Sequence, residues 1–140
     1  MRMAKELKLE DKILFLECLP REHVLALLSR SSIFLLPSFS EGFSRAVAEA
    51  MAHGIPAVTY ENKSLNNAVD KGAVIGVRTA DPRDYAEECV SLIEDEEQRR
   101  SLVEKAKAYI KPYVKFSEEE RLKLICDSIR NVLLKRNVYV

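Results

Sequence analysis

Glu41 and Glu49 stand eight residues apart in the stretch LPSFSEGFSRAVAEAMAHGIPAV, which runs from Leu36 to Val58. Between them lie Gly42, Phe43, Ser44, Arg45 and Ala46. The surrounding pattern is a strand stopping at Pro37-Ser38, a loop, a helix, and a second strand entered through Gly54-Ile55-Pro56. Ser44 suits the N-cap of that helix and Gly54 its C-terminal stop. In an open parallel sheet ligands bind at the carboxyl ends of strands, which puts a ligand against the Pro37–Ser44 loop. A helix beginning there presents unpaired amides and the positive end of its dipole, which suit a phosphate, and Gly42 lets the backbone approach closely. Carboxylates repel a phosphate but accept hydrogen bonds from hydroxyls. Glu49 is expected at the edge of an apolar stripe of Ala46, Val47, Ala50 and Met51, facing the same cleft as Glu41. The ligand described is a phosphate flanked by two polyols, the chemistry of a nucleotide-sugar. Taken singly, either glutamate reads as a solvated loop or helix residue.

The elements that must hold this loop alternate between short apolar runs and amphipathic stretches, the pattern of helices packed on a parallel sheet. Ile13-Leu14-Phe15-Leu16, Ile33-Phe34-Leu35-Leu36, Ile55 to Tyr60 and Val74-Ile75-Gly76-Val77 read as strands. The expected fold is therefore α/β, a Rossmann-like parallel sheet of about four strands flanked by helices. Pro20 suits the first turn of a helix carrying Val24, Leu27 and Leu28. Beyond Val77 the chain reads as helical: Asp81-Pro82 to about Glu94, then Glu96 to Ile110, with Lys111-Pro112 as an interruption. An amphipathic helix over 117–136 follows, with Leu122, Ile125, Ile129, Val132 and Leu133 on one face. The 140 residues suit one domain, 1–140, with its core over 11–110.

Composition narrows the function. The chain is 47% hydrophobic and 31% charged, an ordinary globular balance. Its 22 basic and 22 acidic side chains leave no net charge, against the clustered positive charge of a nucleic-acid binder. No apolar run reaches the ~20 residues of a membrane span, and Met1-Arg2-Met3-Ala4-Lys5 lacks the apolar core of a secretory signal, so a cytoplasmic protein is expected. Cys18, Cys89 and Cys126 show no metal or disulfide spacing and read as buried free thiols. No metal site is expected. His53 reads as a helix-end residue and His23 as inert. Arg130, Lys135 and Arg136 allow at most peripheral contact with an anionic membrane. No GxGxxG follows any strand, which argues against a dinucleotide-binding domain.

At these residues the sequence resembles glycosyltransferase family 4, retaining enzymes of the GT-B fold. The match lies in Pro37, Ser38, Glu41, Gly42, Phe43, Glu49, Ala50, Met51, Ala52, Gly54 and Pro56, and extends from about Ile13 to about Ser117. The resemblance implies that Glu41 contacts hydroxyls of the donor sugar, as the residue closest to catalysis, and that Glu49 holds the ribose. It also implies that the amides of Phe43, Ser44, Arg45 and Ala46, with Gly42, face the diphosphate or sugar. The implied chemistry passes through an oxocarbenium-like transition state with the departing diphosphate stabilised electrostatically, and calls for no cofactor beyond the nucleotide-sugar donor.

Departures from that pattern shape the remaining expectations. Ser44, Glu17 and Asn67 stand where the family commonly has glycine, glycine and glutamate. The family also carries an arginine and a lysine upstream of the region matching Ile13, and before them an acceptor-binding domain. The chain reads as beginning past both, hence as a partial GT-B donor domain inactive alone. Of a sheet ordered 3-2-1-4-5-6 it would keep the last four strands. Unpaired apolar strand edges invite association, so a homodimer or higher assembly is expected. Within the resemblance the function is donor binding for a retaining glycosyltransferase with an unknown acceptor; the alternative is a non-catalytic, oligomeric interaction module.

Overall fold

A computed structural model describes residues 2–42, 44–114, 120, 123, 125–128 and 130. It divides into two compact units, Met1–Arg30 and Ser31–Val140.

The first unit holds helices α1 (Arg2–Glu6) and α2 (Arg21–Ser29). Lys8, at φ 55°, ends α1 in the left-handed region, and the Leu9 amide reaches back to the Ala4 carbonyl at 2.8 Å. Pro20 is the N-cap of α2 and precedes its first turn. The strand expected at Ile13–Leu16 is not formed: the run is coil and its four side chains are exposed. A strand needs a neighbour to satisfy its amides and carbonyls, and the described residues of this unit contain none.

The second unit is built on a parallel sheet ordered β1 (Phe34–Leu36), β2 (Ala57–Tyr60), β3 (Ile75–Val77), so three strands stand where about four were expected. Phe34 pairs with Ala57, and Val58 with Ile75. The connecting helices are α3 (Arg45–His53) and α4 (Asn66–Asp70), followed by α5 (Pro82–Glu94) and α6 (Glu96–Val114). Alternation along each strand sends side chains to two cores. On one face Ala57 and Val74 join Val47 and Met51 of α3, Ala68 of α4, and Ala106 and Ile110 of α6. On the other, Val58, Tyr60 and Val77 meet Tyr85, Cys89 and Leu92 of α5 and Leu102 of α6. Fully burying side chains such as Val47, Val58 and Leu92 stabilises the fold by about 1.5–3 kcal/mol each.

The helix ends follow local chemistry. Asp81 caps α5, its carboxylate accepting from the Arg83 amide at 2.8 Å, as its place before Pro82 foretells. Asp95 both closes α5, through its amide to the Ser91 carbonyl, and caps α6 by accepting from the Gln98 amide at 2.8 Å. Arg99 then donates to the Leu92 carbonyl at 2.9 Å and to that of Ile93, placing a cation on the negative end of α5. Helix α6 runs through Lys111-Pro112 to Val114, beyond the interruption expected there. The missing Pro112 amide costs α6 one backbone hydrogen bond without ending it among the described residues. The expected helix over 117–136 falls largely outside the described residues; those described within it, 120, 123, 125–128 and 130, are helical. Of the cysteines only Cys89 is buried, in the α5 core; Cys18 and Cys126 are exposed, against the expectation for them.

Gly76 occupies the centre of β3 because no side chain fits there. A Cβ would meet the Glu61 Cγ at 2.7 Å and the two Val69 methyls at 2.8 and 2.9 Å. Val69 is β-branched and cannot swing clear. Gly76→Ala is therefore expected to lower unfolding stability by about 1–3 kcal/mol, measured by urea denaturation, through overpacking between α4 and β3.

Candidate functional site

The loop of interest leaves the carboxyl end of β1 and returns as the first turn of α3. Pro37 ends the strand, and the Ser38 amide turns back onto the Leu36 carbonyl at 2.8 Å. The Ser38 hydroxyl donates to the Ser40 carbonyl at 3.1 Å, tightening the loop upon itself. Glu41 is half-buried and Gly42 exposed, while Phe43 lies outside the described residues.

Ser44 is the N-cap of α3, buried, with φ −73° and ψ 92°, and its carbonyl accepts from the Ala48 amide at 3.1 Å. Its side chain makes no capping hydrogen bond. Helix α3 thus differs from α5 and α6, whose aspartates claim a first-turn amide. Arg45 and Ala46 form the exposed first turn. The far end closes as expected at Gly54, at φ 72°, with the Gly54 amide on the Met51 carbonyl and the Ile55 amide on that of Ala50 at 2.9 Å.

The buried face of α3 is Val47, Ala50 and Met51; Ala46, expected on it, is exposed. At 100° per residue Glu49 lies roughly 150° from the middle of that face, further round than the edge position expected, and it is half-buried. Glu41 is thus on the loop and Glu49 about one turn into the helix that the loop feeds.

Sequence reasoning missed an aromatic stack at the same end of the sheet. Phe39, in the loop and 63% exposed, lies parallel to Tyr60 with ring centroids 4.3 Å apart and planes 12° from parallel. Tyr60 ends β2 and is tilted against Tyr85 of α5 at 4.9 Å. The Tyr85 hydroxyl donates to the Val58 carbonyl at 2.7 Å, and burial pushes its pKa up to about 12. The available signal was an aromatic at a strand end, Tyr60, with another just past the preceding strand.

A second feature absent from the sequence reading lies at the carboxyl end of β3. An open cleft of about 630 Å³ is lined by Glu61, Val77, Arg78, Thr79, Asp84 and Glu88, among others. Arg78 Nε donates to Glu61 Oε1 at 2.9 Å, and the bond raises the guanidinium pKa further. The Thr79 hydroxyl donates to Asp84. Among the described residues no group of three or more His, Cys, Asp or Glu side chains is placed to hold a metal ion, and no helix is long and apolar enough to cross a membrane.

Comparison with known proteins follows the same segments. The family model for glycosyl transferases group 1 matches residues 1–109. The chain is 29% identical over 121 residues to the N-acetyl-alpha-D-glucosaminyl L-malate synthase of Bacillus anthracis, covering 86% of this chain and 31% of that protein. It is 32% identical over 105 residues to the D-inositol 3-phosphate glycosyltransferase of Corynebacterium glutamicum (strain R), covering 74% and 25% respectively. The chain therefore spans about a third or less of the length of these relatives.

The raised Tyr85 pKa carries a sign for stability. A hydroxyl that ionises near pH 10 in the unfolded chain and near 12 in the folded one contributes stability that is whole below about pH 10 and is lost as pH rises through about 12. Comparing wild type with Tyr85→Phe by urea unfolding at several pH values isolates this group, since all other titrations are common to both. The wild type should lose ground to the variant between pH 10 and 12, and below that window the variant should be less stable by about 1 kcal/mol for its lost hydrogen bond.

Proposed function

The chain belongs to the glycosyl transferases group 1, and on that premise we propose that residues 37–49 bind the nucleotide-sugar donor of a retaining glycosyltransferase of family 4. The observation that carries this reading is the opening of α3 at the carboxyl end of β1 with an N-cap side chain that leaves the first-turn amides to other partners. Those amides, of Ser44, Arg45 and Ala46, and the helix dipole would take the diphosphate, with Gly42 admitting it to the backbone and the Phe43 amide added as the family resemblance implies. Glu41 would accept hydrogen bonds from the donor sugar and Glu49 from the ribose.

In the reaction the sugar C1–O bond to the diphosphate would break as positive charge develops on the ring, an acceptor hydroxyl oxygen would bond to C1, and its proton would leave with the departing diphosphate. The protein's part is to hold Glu41 against the ring hydroxyls and to stabilise the leaving diphosphate with fixed amide dipoles. The donor needs no further cofactor in this scheme, and an acceptor would come from a separate acceptor-binding domain. The exposed thiols Cys18 and Cys126 suit the reducing cytoplasm.

One observation favours the interaction-module alternative. β1 is an edge of the sheet described, and its Leu35 is 46% exposed. An apolar strand at the edge of the described sheet supports self-association as a homodimer. Light scattering at micromolar concentration should then return about twice the chain mass; a sharp monomer removes this second reading.

Calorimetric titration with UDP- and GDP-sugars tests the donor reading. Binding on the order of millimolar or tighter is expected for one nucleotide series, and Glu49→Ala should weaken it about tenfold or more, the worth of a hydrogen bond to a charged group. Absence of nucleotide binding, or a Glu49→Ala chain that binds as well as wild type, sinks it.

A further inference from the structure

The 37–44 loop has little to hold it. Residues 37–42 are exposed or half-buried, and the two Ser38 hydrogen bonds tie them to Leu36 and Ser40, within or next to that segment. Among the described residues, the ring contact that carries this segment beyond itself is the parallel stack of Phe39 on Tyr60. Tyr60 is a firm partner, 6% exposed at the end of the central strand. It is braced from α5 by Tyr85, itself fixed by the bond to the Val58 carbonyl. Phe39 is 63% exposed, so the stack removes little of its surface from water; what it supplies is orientation.

We propose that Phe39 is the positioning residue of this site, clamping the loop to the end of β2 through Tyr60 and thereby setting where Glu41 stands. Glu41 follows Phe39 by two residues, at most about 7 Å of extended chain, so a ring fixed at Phe39 restricts the space its carboxylate can sample. The start of α3 does not depend on this clamp. It is secured by Ser44 and by the burial of Val47, Ala50 and Met51. The clamp therefore acts on the sugar end of the donor and leaves the diphosphate end alone, an inference that rests on the donor reading above.

The test has two arms on the full chain. In the first, hydrogen exchange followed by mass spectrometry compares peptides covering residues 37–42 without any ligand. Phe39→Ala should speed exchange there by about 2- to 10-fold, the range of an aromatic pair, while Phe39→Tyr restores the wild-type rate. The Ser38 amide, bonded to Leu36, is the reporter. In the second arm UDP is compared with UDP-glucose and UDP-N-acetylglucosamine. Phe39→Ala should bind UDP as wild type does and lose most of the extra affinity that the sugar confers, with recovery in Phe39→Tyr.

Unchanged exchange in Phe39→Ala overturns the clamp, as does an equal loss for UDP and UDP-sugar. A wild-type chain that binds no nucleotide, or gains nothing from the sugar, removes the donor reading, and the exchange arm then decides the clamp by itself. Because Phe39 is largely exposed, its variants are expected to keep the wild-type far-UV circular dichroism.

Discussion

The central strand β2 is the constraint on which the second unit depends. All four of its residues are buried, with Ala57, Val58 and Thr59 at 1% exposure or less, because strands flank it on both edges and helices cover both faces. Its buried threonine is satisfied, Thr59 donating to the Tyr60 carbonyl at 3.0 Å. A parallel strand in this position must be continuously apolar and must be entered without a free donor to waste. Pro56 meets that requirement: it lacks an amide, and its carbonyl receives the Phe34 amide at 2.8 Å. The left-handed turn at Gly54 joins this entry to α3, so the burial of β2 also fixes the axis of α3 and hence where its N-terminus opens.

That dependence explains what the sequence made legible. The run from Ile55 to Tyr60, the stop at Gly54, the cap at Asp81 and the apolar residues Val47, Ala50 and Met51 are all local signals, and the structure answers each of them. What failed was non-local. Ile13–Leu16 has a strand's composition, yet pairing is a property of two segments, and composition says nothing of a partner. Helix α4 went unseen because five residues, Asn66–Asp70, are too few for a period and begin with a pair of asparagines, poor helix formers. Pro112 read as a break because propensity counts its missing amide and not the packing of Ala106 and Ile110 that holds α6 in place.

The site divides along the same line. The loop-to-helix order of Glu41, Gly42, Ser44 and Glu49 was readable, since spacing alone carries it. The Phe39–Tyr60–Tyr85 stack was not, because it joins a loop, a strand end and a helix that are 21 and 25 residues apart in turn, and it takes the register of β1 against β2 and the packing of α5 on β2 to bring them together. The pairing of Leu36 with Thr59 sets Tyr60 one residue beyond the last β1 partner, beside the chain that continues into the loop.

Register therefore ties electrostatics to packing. An amide-lined helix start is useful to a leaving diphosphate only if it cannot turn away as charge develops, since dipoles that must reorganise forfeit their advantage. α3 meets this condition through its own buried face and its packing on α6, where Val47 and Met51 share a core with Ala106 and Ile110. The carboxylate at Glu41 has no such backing in the helix, being three residues ahead of the N-cap, and must draw its rigidity from elsewhere. The start of α3 thus rests on the core beneath α3 and α6, while Phe39, two residues before Glu41, stacks on Tyr60 of the core beneath α5.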